Sequence, residues 1–170
     1  MKIVTERLEI RRFEDEDIRI LCSILTNEHI AQTYLLPDFK DEAAVYALAK
    51  RLQILSMTDG RYVAGIYRNR NLIGMINDVE IHGEKIEMGY TIHPDYWNQG
   101  YATEAFRGVI GYLFENGFTE VYTGAFESNL PSIRVMEKSG MKRMNSKASI
   151  EYRGNIHHCV YYSIKKGQKT

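Results

Sequence analysis

Residues 93–106, HPDYWNQGYATEAF, run from an apolar-alternating segment through a loop with one central glycine into a helical pattern. A helix N-terminus offers unpaired backbone N–H groups and the positive end of the helix dipole, so such a junction can hold a phosphate or pyrophosphate. Gly100 lets the main chain approach an anion closely, and Ala102 leaves the first turn uncrowded. The stretch lacks the Gly-Lys-Ser/Thr of a Walker loop and the second and third glycines of a Rossmann fingerprint, which excludes both. A plain strand-to-helix connection is the competing reading. Asn129 and Ser132 stand three apart at a second helix start, where Asn129 suits the N-cap and Ser132 the first turn. His157 and His158 lie in a predicted strand whose adjacent side chains point to opposite faces, so no metal site is expected. Cys22 and Cys159 form no CxxC pair and are expected as free thiols of a reducing compartment.

The elements that must position these residues change period along the chain. LEIRRF reads as a first strand, DEDIRILCSIL as a helix with Leu21, Ile24 and Leu25 on one face, and EHIAQTY as a short second helix. DEAAVYALAKRLQILSM predicts a longer helix, N-capped by Asp41, with Ala44, Leu48, Leu52 and Leu55 inward. RYVAGIYR and NLIGMINDVEI read as strands joined by a tight turn at Asn69, Arg70 and Asn71. IEMGYTIHP is a third, with Ile86, Met88, Tyr90 and Ile92 on one face and Glu87, Gly89 and Thr91 on the other. Beyond the loop, Ala102, Ala105, Phe106, Val109, Ile110 and Leu113 form a helical stripe that ends at Asn116 and Gly117. VYTGAF is a strand, SNLPSIRVMEKSG a helix closed by Gly140, and two final segments flank Arg153-Gly154-Asn155 as a hairpin. The order predicts one mixed α/β domain over residues 1–170 with a single sheet.

Composition narrows the partners. At 170 residues the chain can bury roughly 68–70% of its unfolded surface. Lys plus Arg equals Asp plus Glu at 22 each, so the broad basic excess of a nucleic-acid binder is missing and no nucleic-acid partner is expected. The charged, alternating start is no signal peptide and no apolar run nears the ~20 residues of a membrane span, so a soluble cytoplasmic protein without membrane association is expected.

The loop resembles the acetyl-coenzyme A loop of the GNAT superfamily of N-acetyltransferases, whose pattern is (R/Q)-x-x-G-x-(G/A). Gly100 and Ala102 match its glycine and small residue, whereas Trp97 stands where Arg or Gln is usual. MGYTIHPDYWNQGYATEA resembles the RimJ/RimL-type branch, where a tryptophan in this loop is common; TERLEIRRF, ESNLPSIRVMEKSGMKR and YYSIKK resemble that branch's opening strand, second motif and last strand. The similarity spans nearly the whole chain in order. It implies a mixed, mostly antiparallel central sheet flanked by helices and splayed between the family's fourth and fifth strands.

The resemblance also implies residue roles. Acetyl-CoA would be the donor, its pyrophosphate on the loop formed by Trp97, Asn98, Gln99, Gly100, Tyr101, Ala102 and Thr103. A main-chain N–H near Ile92 would bond the thioester carbonyl, and Asn129 would reach the pantetheine amides besides capping its helix. Ser132 matches a serine that could donate to the departing thiolate. The tyrosine that many members use as acid, seven residues after the Asn, is here Met136. Glu87 could take a proton from the acceptor amine through water, because an amine is mostly protonated at neutral pH. Tyr34 would line the acceptor pocket, and His93 is read as a loop residue. The acceptor is a primary amine of a protein N-terminus or a small molecule, and a monomer or homodimer is expected. A noncatalytic coenzyme A-binding or protein-interaction module on the same fold is the alternative, supported by the missing tyrosine.

Overall fold

The computed structural model describes residues 1–167; residues 168–170, part of the domain expected from sequence, lie outside the described residues. Eight strands form one sheet: β1 (Lys2–Val4), β2 (Glu9–Arg11), β3 (Ala64–Arg68), β4 (Asn71–His82), β5 (Lys85–Ile92), β6 (Glu120–Phe126), β7 (Lys142–Tyr152) and β8 (Asn155–Lys165). Their order across the sheet is β1-β2-β3-β4-β5-β6-β8-β7. Every neighbouring pair is antiparallel except β5 and β6. The helices are α1 (Ile18–Leu25), α2 (Glu28–Ala31), α3 (Glu42–Ser56), α4 (Tyr101–Glu115) and α5 (Leu130–Lys138). No helix among the described residues is long and apolar enough to cross a membrane.

Two expectations need correction. The opening segment is two short strands, not one, because Thr5 turns the chain: its N–H donates to Leu8 O at 2.9 Å and its Oγ1 accepts the Leu8 N–H at 3.1 Å. The family's fourth and fifth strands are therefore β5 and β6. In α3, Asp41 caps as expected, accepting the Ala44 N–H at 2.8 Å, but the deeply buried line is Val45, Ala49, Gln53 and Ser56. Leu48, Leu52 and Leu55 only flank it. Two polar residues can lie inside because they are paired. Ser56 Oγ accepts from Phe13 N–H and donates to Gln53 O, and Gln53 Nε2 donates to Asp15.

The sheet separates two apolar layers. Helix α4 buries Tyr101, Ala105, Phe106, Val109, Ile110 and Leu113 against one face, each of the larger side chains worth roughly 1.5–3 kcal/mol. Helices α1 and α3 cover the other face over β3 and β4 through Leu21, Ile24, Val45, Tyr67 and Met75. The rest of that second face, over β5, β6 and β8, carries Glu87, Tyr122, Gly124 and Tyr161.

The parallel seam is short. β5 and β6 pair only at Lys85 with Glu120, Ile86 with Val121 and Glu87 with Tyr122. Beyond Glu87 each strand stays with its other neighbour, β5 with β4 as far as Ile92 and β6 with β8 as far as Phe126. The two strands splay as expected, and the edge of Met88 to Ile92 is left open.

Candidate active site

The loop reaches α4 by left-handed backbone at Asn98 (φ 59°) and Gly100 (φ 82°). Gly100 is the N-cap and supplies no side chain, so the helix start is uncapped. Among the described residues nothing accepts from the N–H groups of Asn98 through Thr103. Trp97 stays exposed, but its indole Nε1 donates to Ile92 O at 2.6 Å, pinning the loop to the end of β5. Gln99 Nε2 donates to Asp95 O, and His93 Nδ1 accepts the Asp95 N–H, so both serve the turn that precedes the helix.

A cation stands beside the loop. Arg7 donates to Gln99 O at 3.0 Å and to Glu104 at 2.6 Å, and its guanidinium lies 4.6 Å from the centre of the Tyr101 ring. Burial works to raise the Glu104 pKa, but hydrogen bonds from Thr5 Oγ1, Arg7 N–H and the Arg7 guanidinium outweigh it and hold the carboxyl below its usual range.

The open edge of β5 has a definite polarity. His93 N–H donates to Ile73 O of β4 at 2.8 Å, so by strand alternation the N–H and C=O of Ile92, Tyr90 and Met88 face the splay. Side chains alternate in the same way. Glu87 and Gly89 project to one face of the fork, while Tyr90 projects to the other, onto Phe106 and toward α5.

On the first face Glu87 is half-buried at the last paired position of the seam, with Glu80 directly across the β4–β5 ladder. Burial, and then the Glu80 charge, push the Glu87 pKa up. Tyr122 and Tyr161 sit close enough for the Glu87 charge to add to burial in raising their own pKa values. The Tyr161 ring lies over Gly124, where a Cβ would stand 2.8 Å from it. Tyr34 spans this face, its hydroxyl bonded to Asn77 Oδ1, and a Cβ at Gly89 would lie 3.5 Å from its ring. The hairpin tip clasps the segment carrying Tyr34: Tyr152 Oη donates to Ala31 O at 2.9 Å and accepts the Leu36 N–H, while Arg153 pairs with Glu28.

On the second face Asn129 is buried at the N-cap of α5. Its Oδ1 accepts the Ser132 N–H at 3.3 Å and its Nδ2 donates to Ser132 Oγ at 2.9 Å. Tyr90 Oη donates to Ser132 O at 3.5 Å, and burial pushes its pKa up to about 12. Met136 is packed in the core with Val160 and Tyr162, so no polar group reaches the fork from that position.

A family model described as an acetyltransferase (GNAT) domain matches residues 7–142. The chain belongs to the GNAT acetyltransferase family. It is 31% identical over 146 residues to the uncharacterized N-acetyltransferase YnaD of Bacillus subtilis (strain 168), covering 84% of each chain. A GNAT-family acetyltransferase of Bacillus anthracis superposes with a TM-score of 0.85 at 26% identity, over 99% of this chain and 100% of the other. RimJ of Mycobacterium smegmatis, solved with CoA-disulfide, shares the fold with a TM-score of 0.85 at 14% identity, over 98% of this chain and 88% of that one. The protein is thus an acetyl-CoA-dependent N-acetyltransferase of the GNAT family.

In this GNAT enzyme, Glu87, Gly89 and Tyr34 share one side of the fork and Asn129 and Ser132 the other. Arg7 was missed by sequence reasoning, because its partner Glu104 is 97 positions away and TERLEIRRF was read for its strand pattern alone. Glutamine at position 104 removes the charge that holds Arg7, and the melting temperature should fall by about 3–10 °C from loss of roughly 1.5–3 kcal/mol. A carboxylate whose folded pKa is depressed contributes stability above its unfolded pKa of ~4.3 and loses it as pH falls through the folded value. The gap between wild type and Glu104→Gln should therefore close on acidification, as thermal melts from pH 7 to pH 3 would record.

Proposed function

We propose that the enzyme transfers acetyl directly from acetyl-CoA to a primary amine that approaches on the Glu87 face, while the thiol departs on the Ser132 face. The observation that carries this reading is the fork itself: one open strand edge with a half-buried carboxylate on one side and a hydroxyl on the other. Acetyl-CoA supplies the activated acyl group, and the residues present fit it. The N–H groups of Asn98 to Thr103 and the adjacent Arg7 suit a pyrophosphate, and the edge of Met88 to Ile92 suits a strand-like pantetheine. Trp97 would shape the loop and would not donate to the phosphates, since its indole N–H is engaged.

Glu87 would take the amine proton through a water, and the elevated pKa brings this base nearer neutrality. Ile92 N–H would bond the thioester oxygen as charge develops there. Ser132 Oγ–H would donate to the sulfur as the C–S bond breaks and the C–N bond forms. The protonated amine loses two protons, one through water and Glu87 to solvent before attack and one as the amide forms. The thiolate gains one from Ser132, which is reprotonated through solvent, so one proton is released overall. Tyr34 would border the acceptor, which is a protein N-terminus or a small-molecule amine, and the enzyme would work as a monomer or homodimer.

Isothermal titration with acetyl-CoA, followed by free-thiol release over an amine panel that includes peptides with free N-termini, tests the reading. Binding with amine-dependent turnover supports it, and no binding at high micromolar concentration overturns it. Charge removal at Glu80 gives a finer check. Without its like-charge neighbour Glu87 should have a lower pKa, so the acid limb of the kcat–pH profile of Glu80→Gln should move to lower pH. An unmoved limb would count against Glu87 as the base.

A further inference from the structure

The hydrogen bonds at the start of α5 determine which partner of Ser132 must be the donor. Ser132 N–H can only donate, so the Asn129 atom 3.3 Å from it is the amide oxygen. The remaining amide atom, Nδ2, lies 2.9 Å from Ser132 Oγ and can only donate. Ser132 Oγ is therefore the acceptor in that contact, and its own hydrogen points away from Asn129. Tyr90 Oη, which lies against the same serine, is the group on the protein that can take it, and a bound sulfur would compete with that hydroxyl for the hydrogen. The amide cannot flip, because its NH2 group would then face the Ser132 N–H. Tyr90, whose main chain forms the open edge of β5, donates to the carbonyl of the same serine and holds it from behind at 3.5 Å.

We propose that Asn129 is a positioning residue that keeps the Ser132 hydroxyl as a hydrogen-bond donor toward the departing sulfur; the inference rests on the role given to Ser132 above. It goes beyond helix capping, which any good N-cap residue would fulfil. Aspartate separates the two roles. Its carboxylate accepts the Ser132 N–H as asparagine does, so the cap and the helix are kept. Its second oxygen accepts where Nδ2 donated, so it captures the Ser132 hydrogen and turns the hydroxyl away from the sulfur.

The test compares kcat for amine-dependent thiol release in wild type, Ser132→Ala, Asn129→Asp and the double variant, with thermal melts alongside. Ser132→Ala and Asn129→Asp should each lower kcat by a similar factor, about 100-fold if the serine acts as an acid. The double variant should be no slower than Ser132→Ala, while the melting temperature of Asn129→Asp stays at the wild-type value. Near wild-type kcat in Asn129→Asp beside a slow Ser132→Ala overturns the positioning role alone. Additive losses in the double variant also overturn it, because they mark a direct effect of the new charge. An unimpaired Ser132→Ala removes the serine from the reaction and this inference with it. Wild type inert on every amine overturns the transfer reading itself.

Discussion

Glu87→Gln should lower kcat/KM for the acceptor roughly 100-fold or more at pH 7, the usual worth of a positioned general base. Glutamine keeps the size and removes only the capacity to take a proton. Glu87 lies on the face of the fork opposite Ser132, and the loop of Asn98 to Thr103 is on a different segment, so acetyl-CoA affinity should hold. The loss should shrink as pH rises toward the acceptor's own pKa, since an amine that is already neutral needs no base. Stability should move the other way. A carboxyl whose folded pKa is raised binds its proton more tightly in the fold than in the unfolded chain, so its ionised form disfavours folding at pH 7. The variant should therefore melt no lower than wild type, which distinguishes a lost chemical role from a damaged fold. Initial rates across pH 6–10 with a calorimetric titration would check both, and less than a threefold loss at pH 7 would remove Glu87 from the mechanism.

Gly74→Ala should be the most damaging small substitution near the site. Gly74 of β4 pairs with Ile92, and a Cβ there would lie 2.3 Å from Thr91 O and 3.0 Å from Ile92 Cα. Both are main-chain atoms, so no rotamer relieves the clash and the two strands must part. The expected cost is about 3 kcal/mol or more. For a chain of this length that corresponds to a drop of roughly 6–12 °C in melting temperature. The separation falls where Ile92 N–H meets the splay, so acetyl-CoA turnover should fall beyond the loss of folded protein. Gly111→Ala is the control: the site is helical, nothing stands within 4 Å of the added carbon, and removing a helical glycine should stabilise by about 0.5–1 kcal/mol. A melting temperature within 1 °C of wild type for Gly74→Ala would contradict the argument.

The parts of the site that could be read in advance are those held by neighbours in the chain. Gly100 and the uncapped start of α4 leave main-chain N–H groups free within a few consecutive residues, so the loop was legible as a string. Asn129 and Ser132 meet through one helical turn. Glu87 and Gly89 face away from Met88 and Tyr90 because a strand alternates every residue. The face of α3 was misjudged for a related reason: apolar spacing alone favoured the leucine stripe, and the hydrogen bonds that let Gln53 and Ser56 lie inward come from Asp15 and Phe13 on other segments.

The sequence by itself therefore determined the family, the order of elements after the opening segment, the glycine turn into α4 and the side of β5 on which each residue projects, because these depend on local periodicity and short-range backbone geometry. Only the tertiary structure decided that Arg7 stands beside the loop, that Tyr34 reaches Asn77, and that Tyr152 ties the hairpin to the segment beside the fork. It also decided where the parallel seam ends. Those features join positions 35 to 121 residues apart, and which of many such pairs meet is decided by packing and hydrogen bonding of the whole sheet.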